Sequence, residues 1–146
     1  MAAAIPGSRT PSPRYPSGAR ETLAIRPIPV NSDCVFHNVR SVAVANETFS
    51  VNMPERNQRD TKVFRKAETM VQTRCDLHPW MVAHIGVKDH PWFAVAKADG
   101  NFVIDGAPAG ELELEVWHEA SGRSTRKVTV PPHDEVMVDF ALAAQP

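Results

Sequence analysis

The length, composition and charge of the chain restrict it to a few classes of protein. A chain of 146 residues, 42% of them hydrophobic, can bury one sizeable core or two small ones, which favours one or two globular modules. The formal net charge of -1 gives no electrostatic reason to expect binding to nucleic acid or to an anionic membrane. No apolar run approaches the ~18 residues of a membrane span. The two cysteines, Cys34 and Cys75, permit a disulfide, a metal site or two free thiols.

The beginning of the chain differs in composition from the rest. Residues 1–22 combine repeated prolines and arginines with few large apolar side chains, so burial cannot offset the entropy of ordering them. We therefore predict a disordered or extended arm over residues 1–22, suited to lying along a partner. The segment also lacks the basic flank and the apolar core of ~7–15 residues that a secretory signal needs, so it is not expected to direct export.

Short strands separated by turn residues are predicted from Leu23 onwards, and residues 23–88 form the first unit. Because side chains alternate with period 2, Val71 and Thr73 share one face of a strand with Cys75. Cys75 is thereby brought to the inward-facing end of its strand. Pro79 then ends regular pairing and shapes the loop that follows.

This loop carries three metal-binding types of side chain. Cys75, His78 and Met81 form a C-x2-H-x2-M pattern, which supplies a thiolate, an imidazole and a thioether. A blue-copper electron-transfer site draws these three types from one loop, and its second imidazole is expected from an upstream strand. His37 is the only histidine on the N-terminal side of the loop. The pattern predicts one copper ion held equatorially by the two imidazoles and the thiolate, with the thioether as a weak axial ligand.

Residues 89–146 are predicted to form a second, smaller β unit. Asp99-Gly100 is a strong hairpin signal between apolar runs at 92–95 and 101–104. The unit is too short for a sandwich of about seven strands, so residues 23–30 are a candidate for an additional strand.

The later strands of this second unit are predicted from alternation. One strand alternates apolar residues, expected to face inward, with carboxylates, expected to face solvent: Leu112, Leu114 and Val116 against Glu111, Glu113 and Glu115. A last strand repeats the apolar alternation in Val136, Val138, Phe140 and Leu142. No segment of the chain shows a convincing helical period.

Two motifs together resemble those of the cupredoxins. They are Phe36-His37-Asn38-Val39 and Cys75-Asp76-Leu77-His78-Pro79-Trp80-Met81. The spacing in the loop is most similar to that of the amicyanin-like and plastocyanin-like members of methylamine-utilisation type. The resemblance extends from Val30 to Val87 and implies an all-β fold, a cupredoxin-like Greek-key β-sandwich. The second unit resembles a transthyretin-like or carboxypeptidase-regulatory β unit, which we expect to pack on the first.

The resemblance also implies a function. It indicates a one-electron carrier that cycles copper between Cu(I) and Cu(II) and is not an enzyme. Asn38 would brace the cysteine loop by hydrogen bonding, while Pro79 and Trp80 beside His78 would form the surface where a redox partner docks. A c-type cytochrome or a dehydrogenase is the implied partner, and a periplasmic or otherwise extracytoplasmic location is the implied compartment.

Other functions stay open. A structural or accessory subunit of a larger protein complex would account for the basic arm, the additional β unit and Cys34. Copper storage or delivery would use both cysteines. If the strand before His37 bulges, Cys34 could instead form a disulfide with Cys75 or join the ligands. A thiol nucleophile is disfavoured, because cysteine hydrolases usually bring their base from distant sequence and orient it with a third group.

Overall fold

Eight β-strands make up the regular secondary structure of the computed structural model, which describes residues 2–4 and 26–143. In chain order they are β1 (Ala2–Ala4), β2 (His37–Val42), β3 (Ser50–Met53), β4 (Glu68–Arg74), β5 (Val82–Val87), β6 (Phe93–Val95), β7 (Gly110–His118) and β8 (Gly122–Val130). They form two four-stranded antiparallel sheets, each in its own compact unit. No described residue is helical, so the predicted all-β class is confirmed. Accordingly, the described part of the chain has no helix long and apolar enough to cross a membrane.

The first unit, within the described residues 26–89, contains the sheet β3-β2-β4-β5. β2 pairs with β4 in an antiparallel register that places Arg40 opposite Arg74. The predicted alternation in β4 is confirmed, because Val71 and Thr73 are buried. Phe64, Val71 and Val87 form the fully buried centre of this unit's core. The face of β4 that packs on this core therefore leads directly to Cys75.

The segment ahead of β2 also belongs to the first unit. Val30 forms an isolated antiparallel bridge there, and the carbonyl groups of Pro27 and Pro29 accept backbone hydrogen bonds from the same unit. Proline has no N–H group, so this segment cannot donate a continuous ladder. The prediction of an additional strand for the second unit is therefore wrong for residues 26–30; residues 23–25 lie outside the described residues.

The second unit contains the sheet β6-β1-β7-β8. β7 and β8 form a long hairpin, closed by a hydrogen bond from the Ser121 N–H to the His118 carbonyl (3.2 Å). The three apolar residues of β7 are buried as predicted and form the centre of a separate core.

One of the carboxylates predicted to face solvent is buried. Glu115 is 4% exposed, although it lies on the face of β7 opposite the apolar core. The Arg123 guanidinium on β8 donates to Glu115 Oε2 at 3.0 Å. Glu111 and Glu113 are exposed as predicted. Alternation predicts which side of a strand a residue takes, but it does not predict whether that side is covered.

Two predicted strands of the second unit are not formed. Residues 101–104 and 136–142 have no ladder pairing. The turn at Asp99-Gly100 does form, since the Lys97 N–H donates to the Asn101 carbonyl (2.9 Å) and Gly100 has a φ of 85°. Apolar side chains from both segments still pack against the core of β7: Phe102, Ile104, Val138, Phe140 and Leu142. The alternation thus predicts burial correctly, whereas the hydrogen bonds that define a strand depend on a distant partner.

Residues 2–4, at the start of the predicted arm, form a strand of the second unit. Ala2–Ala4 pairs with both β6 and β7 and completes the sheet of the second unit. Alanine is depleted in strands, so composition alone does not predict this pairing. The remainder of the predicted arm, residues 5–22, lies outside the described residues.

Candidate metal centre

The pairing of β2 with β4 brings His37 next to Cys75. His37 is the first residue of β2 and Cys75 follows the last residue of β4, and these two ends are adjacent because the strands are antiparallel. Cys75 continues the buried face of β4 and is 5% exposed. The backbone N–H of Asn38 donates to Cys75 Sγ at 3.4 Å, which links the two strand ends.

The loop between β4 and β5 folds back onto Cys75. The Cys75 N–H donates to the Met81 carbonyl (3.1 Å), which extends the pairing of Arg74 with Val82 by one step. The Met81 N–H in turn donates to the His78 carbonyl (2.9 Å). Residues 75–81 therefore form a closed hairpin loop, and its closure returns His78 to the cysteine.

Three potential ligand atoms meet at this point. One donor atom each from His37, Cys75 and His78 lie within 4.8 Å of one another. His78 Nδ1 is 3.1 Å from His37 Nδ1 and 3.4 Å from Cys75 Sγ. Nitrogen and sulfur ligands of one metal ion, bound tetrahedrally at ordinary lengths, are roughly 3.3–3.6 Å apart. The observed separations are close to these values, so the group could bind a metal ion.

The surroundings of the Cys75 thiol favour its ionised form. Burial raises its pKa, but hydrogen bonds from the backbone amides of Asn38 and Leu77, from the His37 side chain and from the His78 amide outweigh burial and lower the pKa to about 6. A thiol that ionises near pH 6 is a thiolate at neutral pH, and the thiolate is the form that binds metals. Several N–H groups directed at one sulfur thus supply the ligand in its active form.

The His37 ring connects the donor cluster to a carboxylate. Its Nε2 lies 3.0 Å from Asp33 Oδ1 and 3.2 Å from Oδ2, while its Nδ1 faces His78. The pKa of His37 is raised, first by the hydrogen bond with Cys75 and then by the one with Asp33. The pKa of Asp33 is lowered by the Val35 amide and by His37. The sequence reasoning missed Asp33, whose only signal was an acidic residue four positions before a candidate ligand.

Met81 and Asn38 reach the site in different ways. The backbone of Met81 closes the ligand loop, and its side chain is 42% exposed. Asn38 contacts the cysteine through its backbone N–H, whereas its side-chain Nδ2 donates to Ser50 and Asn52 on β3. Asn38 Oδ1 is buried and has no hydrogen-bond partner among the described residues. The hydrogen bond from Asn38 to Cys75 is therefore made by the main chain of Asn38 in this structure.

The two cysteines are separate. Cys34 is exposed, Cys75 is buried, and both are free thiols. The disulfide left open by the sequence is not formed, and Cys34 does not belong to the donor cluster.

The surface around the loop is largely apolar and adjoins a small group of charged side chains. Trp80 is 79% exposed, and its ring centroid lies 5.4 Å from that of His78. Further exposed apolar side chains lie close in sequence to the donor residues His37, Cys75 and His78: Val35, Phe36, Leu77, Met81 and Val82. Arg40 and Arg74 are cross-strand neighbours, and Asp76 Oδ1 lies 3.8 Å from Arg40 Nε and 3.4 Å from Arg74 Nε, which reduces the repulsion between the two arginines.

The donor set defines what the site can do chemically. Two imidazoles and a thiolate suit zinc or copper more than magnesium or calcium, which prefer oxygen ligands. No protein-family model matches the chain, and no curated protein or solved structure matches it. The identity of the ion is therefore inferred from the ligands themselves.

Proposed function

We propose that this protein is a mononuclear type 1 copper protein that carries one electron between redox partners. The observation that supports this most is the convergence of His37, Cys75 and His78 within 4.8 Å, with both Nδ1 atoms turned toward the cluster. Two imidazoles and one thiolate in a trigonal set, with a weak axial thioether, are typical of blue-copper sites. Copper in such a set would supply the exchange between Cu(I) and Cu(II).

We propose that Met81 would supply the fourth, weak ligand of the copper ion. Its backbone hydrogen bonds to Cys75 and His78 hold it in the same closed loop as both ligands. A structural zinc site usually has four cysteine or histidine ligands, and the described cluster has three. If the Met81 thioether takes the fourth position, as proposed, the ligand set would favour copper.

The fold supports electron transfer rather than catalysis. Cys75 is buried, and its neighbours are fixed by a backbone ladder and by several N–H groups, so the ligand set has little freedom to rearrange. Small rearrangement between oxidation states favours fast electron transfer. We propose that the first unit is a cupredoxin-like Greek-key sandwich and that the second is a transthyretin-like unit.

We propose that electrons enter and leave the copper site through His78. Pro79 and Trp80 are exposed beside it, and such an apolar surface suits transient docking of a redox protein. A c-type cytochrome or a dehydrogenase is the proposed partner class, and an extracytoplasmic location is proposed with it.

A second candidate function is that of an accessory subunit in a larger complex. It is favoured by the second unit, which has its own core and exposes Phe93 and Val95 on the edge strand β6. A minimal electron carrier does not need this unit.

Redox cycling of the copper-loaded protein tests the leading proposal. Ascorbate should bleach the blue colour and ferricyanide should restore it over repeated cycles, with the copper content unchanged. Release of copper on reduction would support storage or delivery instead. A protein that binds copper but cannot be cycled would contradict the electron-carrier function.

A further inference from the structure

The loop before β2 is a rigid support. The Asn31 side chain is buried, and its Nδ2 donates to the carbonyls of Val35 (2.8 Å) and Met53 (2.9 Å). Its Oδ1 accepts a hydrogen bond from the Asp33 N–H (3.1 Å). The backbone at Asp33 is thus anchored to the first unit through Asn31.

The Asp33 carboxylate is fixed by two donors. Oδ1 accepts the Val35 N–H at 2.8 Å and lies 3.0 Å from His37 Nε2, while Oδ2 lies 3.2 Å from the same nitrogen. The Val35 hydrogen bond keeps the carboxylate oriented, so its contact with His37 does not depend on the imidazole alone.

The His37 ring transmits the effect of this carboxylate to the donor cluster. An ionised carboxylate only accepts hydrogen bonds, so the proton between the two groups belongs to Nε2 of His37. In the neutral imidazole that a metal ion would bind, the lone pair is then on Nδ1, the nitrogen that lies in the donor cluster with His78 and Cys75. A carboxylate on the far nitrogen of a metal-binding histidine fixes the ring and increases its basicity.

We propose that Asp33 is a positioning residue that lowers the reduction potential of the copper site through its hydrogen bond to His37. The inference rests on the proposed copper function and goes beyond it by assigning regulation of the potential to one side chain outside the ligand set. A stronger imidazole donor stabilises the more electron-poor Cu(II) relative to Cu(I), and this lowers the potential. The Asp33 side chain is 55% exposed and that of His37 is 12% exposed, so solvent screens the through-space effect of the charge. The effect on His37 therefore depends on the charge-assisted hydrogen bond, which is roughly twice as strong as the neutral bond that an amide oxygen would make.

The variant Asp33→Asn removes the charge of the carboxylate without changing the structure of the loop. The asparagine Oδ1 can still accept the Val35 N–H, so the turn is kept while the negative charge that faces His37 Nε2 is lost. Asp76→Asn is the matched control. It removes a carboxylate next to Cys75 whose ion pairs are with Arg40 and Arg74 rather than with a candidate ligand.

The reduction potential of each copper-loaded variant should be measured by equilibrium redox titration. We expect Asp33→Asn to keep the copper content and the colour but to weaken Cu(II) binding relative to Cu(I) by about tenfold, which is a rise of about 59 mV for a one-electron couple. Asp76→Asn should shift the potential by less. An unchanged or lower potential in Asp33→Asn, or an equal rise in Asp76→Asn, would overturn the proposal.

A measurement without copper tests the hydrogen bond itself. The metal-free protein should show a slowly exchanging Nε2 proton of His37 by NMR, and Asp33→Ala should lose it. Its absence from the wild-type protein would overturn the role of Asp33. A copper-loaded wild-type protein without a type 1 spectrum would overturn the proposed function and the potential-setting role with it. A type 1 spectrum with an unmoved potential in Asp33→Asn would overturn only the role of Asp33.

Discussion

At the scale of single residues, the site depends on a thiolate that the backbone stabilises before any metal binds. Asn38, Leu77 and His78 all direct main-chain N–H groups to Cys75, and together with the His37 side chain they lower its pKa to about 6 despite burial. Titration of the metal-free protein, followed by the ultraviolet absorbance of the thiolate, should give a midpoint near 6. The Cys34→Ser background removes the other thiol. A midpoint between about 8 and 9 would mean that these donors do not act on the sulfur.

The same shift connects pH to stability. An unfolded cysteine has a pKa of about 8.5, so between about 6 and 8.5 the unfolded chain binds more protons at Cys75 than the folded chain does. The contribution of the thiolate to stability is therefore fully present above about 8.5 and is lost as the pH falls through about 6.

Met81 is expected to tune the site without being needed for its assembly. Met81→Leu should keep copper and raise the reduction potential, because loss of a weak axial donor destabilises Cu(II). Redox titration measures the shift, and Met137→Leu is the control because Met137 is almost fully exposed in the second unit. A lower potential in Met81→Leu would remove Met81 from the proposed ligand set.

At the scale of elements, β4 joins the core to the site. Val71 is fully buried and Cys75 extends the same face of the strand. Val71→Ala should lower the free energy of unfolding by about 1.5–3 kcal/mol through lost burial and the cavity left behind. Val44→Ala, at an almost fully exposed position, should change it by no more than about 0.5 kcal/mol. Denaturant unfolding compares the two, and similar costs would contradict the assigned core.

The sequence predicted the parts of the site that follow from local rules. Period-2 alternation placed Cys75 on the buried side of β4, and the C-x2-H-x2-M spacing identified the closed loop. Asp33 was not predicted, because its contact with His37 depends on the turn at Asn31. That turn is anchored by a hydrogen bond from the Asn31 side chain to the carbonyl of Met53, 22 positions further along the chain. A loop conformation fixed by such a distant anchor has no local signature.

The contrast between local sequence rules and distant contacts also explains where the predicted and the observed fold differ. Burial on the core face of β7 follows from alternation, whereas burial of Glu115 depends on what covers the opposite face. The strand at Ala2–Ala4 depends on partners more than 85 positions away, β6 and β7. Local propensity opposed that pairing, and tertiary context decided it.

At the scale of the whole molecule, the donors and their supporting loop all lie in residues 26–89, and the second unit has a core of its own. Leu114→Ala should destabilise the second unit by about 2–5 kcal/mol. The copper content and colour of the Leu114→Ala variant at low temperature should match those of wild type. Val103→Ala, at an exposed position of the second unit, is the control. Thermal unfolding followed by circular dichroism measures the destabilisation. Loss of copper from Leu114→Ala while the first unit stays folded would contradict the assignment of the site to the first unit.

The measurement that tests the central claim most directly is a visible absorption and EPR spectrum of the protein after addition of Cu(II), with bound metal quantified on the same sample. We predict one copper per chain, an intense blue thiolate-to-copper band and a narrow copper hyperfine splitting. The colour should be lost in Cys75→Ser and kept in Cys34→Ser. A colourless protein, or colour that survives Cys75→Ser, would contradict a type 1 copper site at His37, Cys75 and His78.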